Sequence, residues 1–267
     1  MRGAPGLMDT RQIDLGGTAR SPDDVRLLHG LGLSFAEVPI AHPDQFRAHV
    51  SLYQRLRDEL GLYYLCHGPK EGDPNDVQSL ETRYFPQLHQ VLSLMPALQM
   101  RCLTFHLWLD PRFVTPNVIA HKLKLLKGLL QKSDDAGITL CIENLSETAD
   151  HLTEAFAALP RLYMTLDVGH AQLLTKQNNA PDLIDRFLDR IKHIHIHDNR
   201  GGDSPEDDLH LPVGQGTLDF DEIFHGLYQA GYGGTMTLEL TPLEIEQNLD
   251  RVKALLTQAG FNLYPER

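Results

Sequence analysis

Short apolar runs alternate with longer amphipathic stretches along the whole chain. Eight of the short runs have the length and composition of β-strands, at 11–16, 35–40, 62–67, 102–107, 139–144, 163–168, 191–198 and 235–240. The clearest helical pattern is 117–136, where Ile119, Leu123, Leu126 and Leu130 recur at three- and four-residue steps. Further helices are predicted at 24–31, 44–60, 77–98, 181–190, 221–230 and 244–259, with a shorter pattern after residue 150.

This order of strands and helices defines the expected fold class. Eight strand–helix units in 267 residues predict an α/β protein, a (β/α)₈ TIM barrel forming one domain over 1–267. An open doubly wound sheet is the alternative, and it would place a glycine-rich phosphate loop after its first strand. That position holds only Gly16-Gly17-Thr18. We therefore favour the barrel, with its active site at the C-terminal face of the strands.

Composition narrows the function classes. Lys and Arg number 24 against 36 Asp and Glu, and the net charge of −12 disfavours nucleic acid as a partner. The three cysteines show no Cys-x-x-Cys spacing, which argues against a disulfide framework or a zinc ribbon. Neither a signal-peptide pattern nor an apolar run of membrane-spanning length is present, so we expect a cytoplasmic protein without a membrane partner.

Acids and histidines recur where the strand-like runs end. Such residues occur in six segments, at 66–69, 104–106, 142–144, 166–170, 193–198 and 237–239. A barrel brings the C-terminal ends of its strands into one ring, so these side chains are expected to meet there. Carboxylate oxygens and imidazole nitrogens are typical metal ligands, and the pattern therefore predicts a metal site at the barrel mouth.

Three acids carry this prediction. Glu143, Asp167 and Glu239 each end an apolar run, where any one of them could instead close a salt bridge. Together at one mouth they would repel each other unless a divalent cation neutralised them. In Asp-Val-Gly-His at 167–170, Gly169 allows a sharp turn that returns the His170 imidazole to the mouth, although His170 could also simply begin a helix.

The remaining histidines are less specific. His193, His195 and His197 alternate with isoleucines and so share one side of the seventh strand; we expect His193, the deepest, to be an ordinary core residue. His67 and His106 end the third and fourth strands and could line a pocket as ordinary hydrogen-bonded residues. Asp208 and His210 lie in the long connection 199–217, which we interpret as a ligand-carrying flap rather than a plain solvated loop.

Four motifs resemble those of the xylose isomerase-like TIM-barrel superfamily. They are Ile-Glu-Asn at 142–144, Leu-Asp-Val-Gly-His at 166–170, His-x-x-Asp at 195–198 and His-Leu-Pro-Val-Gly-Gln-Gly at 210–216. This superfamily contains sugar (phosphate) isomerases and epimerases and the endonuclease IV-type apurinic-site nucleases. The resemblance covers strands three to eight and is generic before residue 62.

The resemblance implies a set of metal ligands. The shared divalent metal, Zn²⁺ or Mn²⁺, would be held by Glu143, Asp167, His195 and Glu239. His195 is preferred over His197 because the family's ligand precedes an acid by three residues, as His195 precedes Asp198. In the nuclease branch, a cluster of up to three zinc ions takes further ligands, which match His67, His106, His170, Asp208 and His210.

The first functional hypothesis is a metal-dependent isomerase or epimerase acting on a small sugar or polyol. A metal-bound carbonyl would acidify the neighbouring C–H, and Glu143 and Glu239 would exchange the proton from the two faces. His170 would hold a hydroxyl, and Arg200 would anchor an oxygen or phosphate. The sequence leaves open which sugar is used, whether it is phosphorylated, and whether the chain forms a homo-oligomer.

The second hypothesis is a multi-zinc phosphodiesterase that uses the whole ligand set. Against a nuclease, the chain continues after His67 as Gly-Pro-Lys-Glu-Gly-Asp and the flap is acidic. No basic loop interleaved with aromatic residues appears where duplex DNA would lie. A third class, a metal-dependent binding or scaffold barrel, would hold metal without turnover. We rank the isomerase or epimerase first.

Overall fold

Eight parallel strands close into a barrel in the computed structural model, which describes residues 11–263 except the side chain of Pro205. Each strand pairs with the next, and β1 pairs with both β2 and β8. The predicted (β/α)₈ barrel is confirmed, and the open sheet is excluded. The strands are β1 (Gln12–Thr18), β2 (Phe35–Pro39), β3 (Tyr63–His67), β4 (Cys102–His106), β5 (Thr139–Glu143), β6 (Tyr163–Asp167), β7 (Ile191–Ile196) and β8 (Thr235–Leu238).

Helices surround the barrel. They are α1 (Pro22–Gly30), α2 (Pro43–Phe46), α3 (Val50–Leu60), α4 (Val77–Ser79), α5 (Phe85–Leu94), α6 (Pro116–Asp135), α7 (Ala149–Ala158), α8 (Ala180–Phe187), α9 (Phe220–Ala230) and α10 (Pro242–Ala259). The longer helices bury an apolar stripe against the strands, as in α6, where Leu126, Leu129 and Leu130 are buried. Within the described residues, no helix combines the length and apolar character needed to cross a bilayer.

Two predicted helices are interrupted. The segment 44–60 divides at a 3₁₀ turn, Arg47–His49, and the segment 77–98 divides at a π turn, Leu80–Tyr84. Pro86 explains the second break, because proline lacks the N–H of a helix interior and is tolerated only in a first turn. It accordingly lies in the first turn of α5. The structure also has an unpredicted two-residue strand, β9 (Asn262–Leu263), parallel to β1 outside the barrel, which is too short to give a sequence pattern.

Strand register determines which side chains meet at the mouth. His106 on β4 is level with Glu143 on β5, and Asp167 on β6 is level with His195 on β7. Glu239 directly follows β8, beside the end of β7, where its N–H donates to Ile196 O. The C-terminal ends of β4 to β8 therefore present carboxylates and imidazoles at one height in the barrel.

Candidate metal centre and active site

Glu143 lies at the centre of the mouth, surrounded by imidazoles. Its Oε2 is 3.1 Å from His67 Nε2 and 3.0 Å from His106 Nε2, and its Oε1 is 3.2 Å from His195 Nδ1 and 3.3 Å from His170 Nδ1. Burial acts to raise the pKa of Glu143, but these imidazoles, led by His106 and His195, outweigh it and hold the pKa well below the usual range. Glu143 is therefore ionised although it is only 1% exposed.

The four residues predicted to share a metal lie together. Glu143, Asp167, His195 and Glu239 each offer a donor atom, and these atoms all lie within 4.8 Å of one another. His195 Nδ1 is 3.8 Å from Asp167 Oδ2 and 3.7 Å from Glu239 Oε2. Three carboxylates and one imidazole at this spacing form a donor set suited to Zn²⁺ or Mn²⁺.

Two further donor groups flank this set. His67 and His106 share Glu143 on one side, and His170, His197, Asp208 and His210 gather on the other. Asp208 Oδ2 lies 3.3 Å from both His170 Nε2 and His210 Nε2. Burial acts to raise the pKa of Asp208, but these two imidazoles outweigh it and lower the pKa far below the usual range. The structure thus brings together every residue predicted from the nuclease branch.

His197 was not among the predicted ligands, yet it belongs to the second flanking group. Its Nε2 lies 3.0 Å from Asp167 Oδ1, and its ring stacks on that of His210 with centroids 3.9 Å apart. The sequence contained the signal, because the two-residue alternation places His197 on the same side of β7 as His195. Gly169 allows this close packing, since a Cβ at that position would collide with the His197 ring.

Glu37 on β2 is a second residue that the sequence analysis missed. It is 1% exposed, and its Oε2 lies 3.0 Å from His195 Nε2 and 3.2 Å from His193 Nε2. Burial acts to raise the pKa of Glu37, but His195 and His193 outweigh it and hold the pKa well below the usual range. Glu37 therefore contacts Nε2 of His195, the nitrogen that faces away from the four-donor set. Nδ1 of the same ring faces the carboxylates, and acids behind metal-binding histidines commonly orient the ring in this way. An acid inside the apolar run Phe-Ala-Glu-Val-Pro was the available signal.

These residues fit a divalent cation. Among the described residues, two buried carboxylate oxygens of the cluster, Glu37 Oε1 and Asp208 Oδ1, have no hydrogen-bond partner. Buried anionic oxygens left unpaired are costly, and a bound cation would offset that cost. The imidazoles offer a second way to balance the charge: burial acts to lower the pKa of His195, but Glu37 and Glu239 raise it well above normal. A metal ion and a proton would therefore compete for His195 Nδ1.

The flap is held firmly over the mouth by Asp198. Asp198 Oδ2 accepts hydrogen bonds from the N–H groups of Gly214 and Gly216, each at 2.8 Å, and Oδ1 accepts one from Leu218 N at 3.1 Å. A Cβ at position 216 would collide with Asp198, which explains the glycine there. His210, at φ 45°, takes up a left-handed backbone conformation that is unusual for a non-glycine residue. The flap thereby positions Asp208 and His210 beside His170.

A cavity of about 300 Å³ opens above these groups. Its lining residues are Thr18, Arg20, Glu37, Pro39, Ala41, His67, Gly68, Lys70, His106, His170, Asp208, His210 and Glu239. Of the two predicted proton-transfer residues, Glu239 lines the cavity, whereas Glu143 lies beneath the imidazoles. Arg200, the predicted substrate anchor, lies outside the lining: it is exposed, and its guanidinium donates to Gln215 O in the flap.

The chain belongs to the xylose isomerase-like TIM-barrel family, whose pattern matches residues 25–257. This confirms the family predicted from the four motifs. The protein is therefore a xylose isomerase-like TIM barrel with a cavity above clustered acids and imidazoles.

Two relatives illustrate the sequence similarity. An uncharacterised protein of Methanocaldococcus jannaschii is 27% identical over 131 residues, which cover 46% of this chain and 43% of that protein. Fructoselysine 3-epimerase of Escherichia coli O157:H7 is 26% identical over 160 residues, which cover 54% of this chain and 56% of the epimerase. The chain spans about half the length of the curated relatives it matches.

Solved structures share the fold over nearly the whole chain. A D-tagatose 3-epimerase-like protein superposes with a TM-score of 0.80 at 19% identity, covering 92% of this chain and 98% of that one. An L-ribulose 3-epimerase superposes with a TM-score of 0.72 at 17% identity, covering 94% and 95%. At these identities the similarity establishes the barrel fold.

Proposed function

We propose that this protein is a divalent-metal-dependent isomerase or epimerase of a sugar or sugar phosphate. The observation that carries the proposal is the four-donor set of Glu143, Asp167, His195 and Glu239 beside a cavity of about 300 Å³. The fructoselysine, D-tagatose-like and L-ribulose epimerases among its relatives support the same reaction class. When bound, the cation would supply Lewis-acid polarisation of a substrate carbonyl.

The carboxylates then provide proton transfer. Glu239 lines the cavity with a side chain 13% exposed, so its carboxylate is accessible to a C–H of the substrate. Glu143, at the end of β5, lies beneath the imidazoles that keep it ionised. Epimerisation requires one group to remove a proton and another to return it on the opposite face, and these two acids are our candidates.

Two contacts orient the His170 imidazole at the cavity. His170 Nδ1 lies 3.0 Å from Asn144 O, which fixes the ring, and His170 Nε2 faces Asp208 at the cavity. His170 is therefore our candidate for holding a substrate hydroxyl. Arg200 would reach the substrate only if its side chain left Gln215, so its anchoring role stays a prediction.

Solvent exchange tests the proton-transfer step. In D₂O with saturating Mn²⁺, wild-type protein should incorporate deuterium beside the carbonyl of a ketose, measured by NMR. Glu239→Gln should lower this rate by about 10²–10⁴-fold, because general acid–base groups contribute that much. Glu154→Gln, an exposed acid on α7, is the matched control. Equal exchange in Glu239→Gln and wild type would contradict the assigned role.

A multi-zinc phosphodiesterase is the second candidate, and one observation favours it. The four-donor set and the two flanking groups are all present within the described residues, which matches the larger ligand set expected for a cluster of up to three zinc ions. The acids of the flap, Asp203, Glu206 and Asp207, would repel a nucleic acid backbone, so we rank this function second. About three tightly bound zinc ions per chain, together with phosphodiester cleavage, would favour it; one exchangeable ion and ketose turnover would favour the epimerase.

A further inference from the structure

Two cationic side chains line the cavity on the side of β1 and β3. Arg20 follows β1 and Lys70 follows β3, and both are exposed. Across residues 11–263, no carboxylate forms an ion pair with either of them. The other charged groups of the lining are the acids and imidazoles of the candidate metal centre, so the cavity has an acidic side and a basic side.

Two other cations in the loops at this end of the barrel, Arg112 and Lys122, are already engaged. The Arg112 guanidinium pairs with Asp110 at 2.6 Å and also donates to Leu174 O and Ser146 O. Lys122 pairs with Glu71 at 2.6 Å. In a chain with a net charge of −12, Arg20 and Lys70 are therefore notable for remaining available to a ligand.

Hydrogen bonds to Asp24 fix the backbone at Arg20. Arg20 N donates to Asp24 Oδ2 at 2.8 Å, and Ser21 N donates to the same oxygen at 2.9 Å. Ser21 Oγ in turn accepts from Asp24 N, which completes a capping box at the start of α1. The start of α1 thus holds Arg20 at the cavity edge, where no acid among residues 11–263 pairs with its guanidinium.

Arg20 lines both the cavity and a second groove next to it. A second groove of about 280 Å³ shares Arg20, Pro39 and Ala41 with the cavity and continues to His42 and His49. A substrate whose carbonyl faced the acidic side could therefore extend toward Arg20 and beyond it. The far end of such a substrate would meet positive charge.

We propose that the substrate carries an anionic group, a phosphate monoester or a carboxylate, at the end remote from its carbonyl, and that Arg20 and Lys70 bind it. This inference rests on the proposed isomerase or epimerase function. A guanidinium offers paired donors to either anion, and an ammonium adds a point charge, so the two residues suit both sources of negative charge.

Matched substrates test the inference. We would measure kcat/KM for D-ribulose and D-ribulose 5-phosphate, for D-fructose and D-fructose 6-phosphate, and for the ketohexose acid D-fructuronate. Wild type should prefer a charged substrate over its neutral partner by about tenfold or more, as expected for charge-assisted hydrogen bonds. Arg20→Gln and Lys70→Gln should each lower this preference about tenfold. Lys176→Gln, an exposed cation outside the lining, should leave it unchanged.

The outcomes separate this inference from the proposed function. An unchanged preference in Arg20→Gln and Lys70→Gln would overturn the anion site while leaving the epimerase intact. If no ketose is turned over, we would measure binding of D-ribulose 5-phosphate by calorimetry. Weaker binding to Arg20→Gln than to wild type would support the anion site and contradict only the proposed reaction. Equal binding to the two proteins, or no binding to wild type, would overturn the anion site. The phosphate and carboxylate substrates show which anion is preferred.

Discussion

Lys70 and Glu71 are neighbours in the chain, yet they belong to two different sides of the barrel mouth. Lys70 is exposed at the cavity, whereas Glu71 is buried and pairs with Lys122 at 2.6 Å. The loops after β4, β5 and β6 lie on the same side as Glu71, which we call the closed side because ion pairs link its loops. There Arg112 joins Asp110 to the carbonyls of Ser146 and Leu174. Around β1 and β2 no such ionic network links the loops among the described residues, and we call this side, with Arg20 and Lys70, the open side.

The difference separates charges that hold loops from charges available to a ligand. On the closed side, Glu71 Oε2 accepts from Trp108 N, and Lys122 Nζ donates to Trp108 O, so one ion pair fixes both backbone groups of Trp108. Burial raises the pKa of Glu71 and lowers that of Lys122, although their attraction opposes both shifts. On the open side, none of the described acids pairs with Arg20 or Lys70, and an anionic ligand can do so.

The largest expected effect comes from breaking the closed side. Lys122→Met would leave Glu71 buried without its cation and should lower the free energy of unfolding by about 3–5 kcal/mol. Lys70→Met, one position from Glu71 but exposed, should change it by less than about 0.5 kcal/mol. Urea unfolding of both variants measures the comparison. Similar stabilities of the two variants would show that burial and pairing do not distinguish the two sides.

The next effect concerns Glu37, the buried acid beneath the open side. Glu37→Leu removes the partner of His195 Nε2 and should weaken Mn²⁺ or Zn²⁺ binding by about 10–100-fold, as lost second-sphere partners do. Glu37→Gln keeps an acceptor and should lose less. Glu147→Gln, also 1% exposed but a member of none of the donor groups, is the control for burial. Calorimetric titration measures all three; unaltered affinity in Glu37→Leu would remove the orienting role.

A further predicted effect is a pH dependence of the metal-free protein. Burial acts to lower the pKa of His67 and of His210, but contact with Glu143 and with Asp208 outweighs it and raises each to about 9. Because the folded values exceed the unfolded value near 6.5, this stabilisation is complete below about pH 6.5 and is lost as the pH rises through about 9. Melting temperature should therefore fall across this interval, by about 2–4 °C per kcal/mol lost.

Metal should change that dependence. Ligand imidazoles must release protons to bind a cation, so affinity for Zn²⁺ or Mn²⁺ should rise over the same pH interval. Thermal melts with and without metal, at pH 6.5 and pH 9, measure both trends. A metal-free melting temperature that rises with pH would contradict the assigned charge states of these histidines.

The sequence predicted the barrel and the residues that gather at its mouth because both depend on strand ends. Alternating patterns locate the eight strands, and closure of the barrel then brings Glu143, Asp167, His195 and Glu239 together whatever the loops do. Likewise, Asp208 and His210 come to the mouth because Asp198 fixes the turn that follows them.

What the sequence did not predict depends on side-chain direction and long-range pairing. Glu37 meets His193 and His195 more than 150 positions away, and nothing in its own strand announces those partners. Arg200 follows β7 and was expected at the mouth, but its guanidinium instead donates a hydrogen bond to Gln215 O in the flap. Arg20 was missed because it stands in a turn before α1, where a cation carries no periodic signal.

Anomalous diffraction from crystals grown with Mn²⁺ tests the central claim most directly. We predict a manganese peak in direct contact with Glu143, Asp167, His195 Nδ1 and Glu239. No peak at these four residues in protein supplied with Mn²⁺ or Zn²⁺, with the carboxylates paired only to protonated imidazoles, would contradict it.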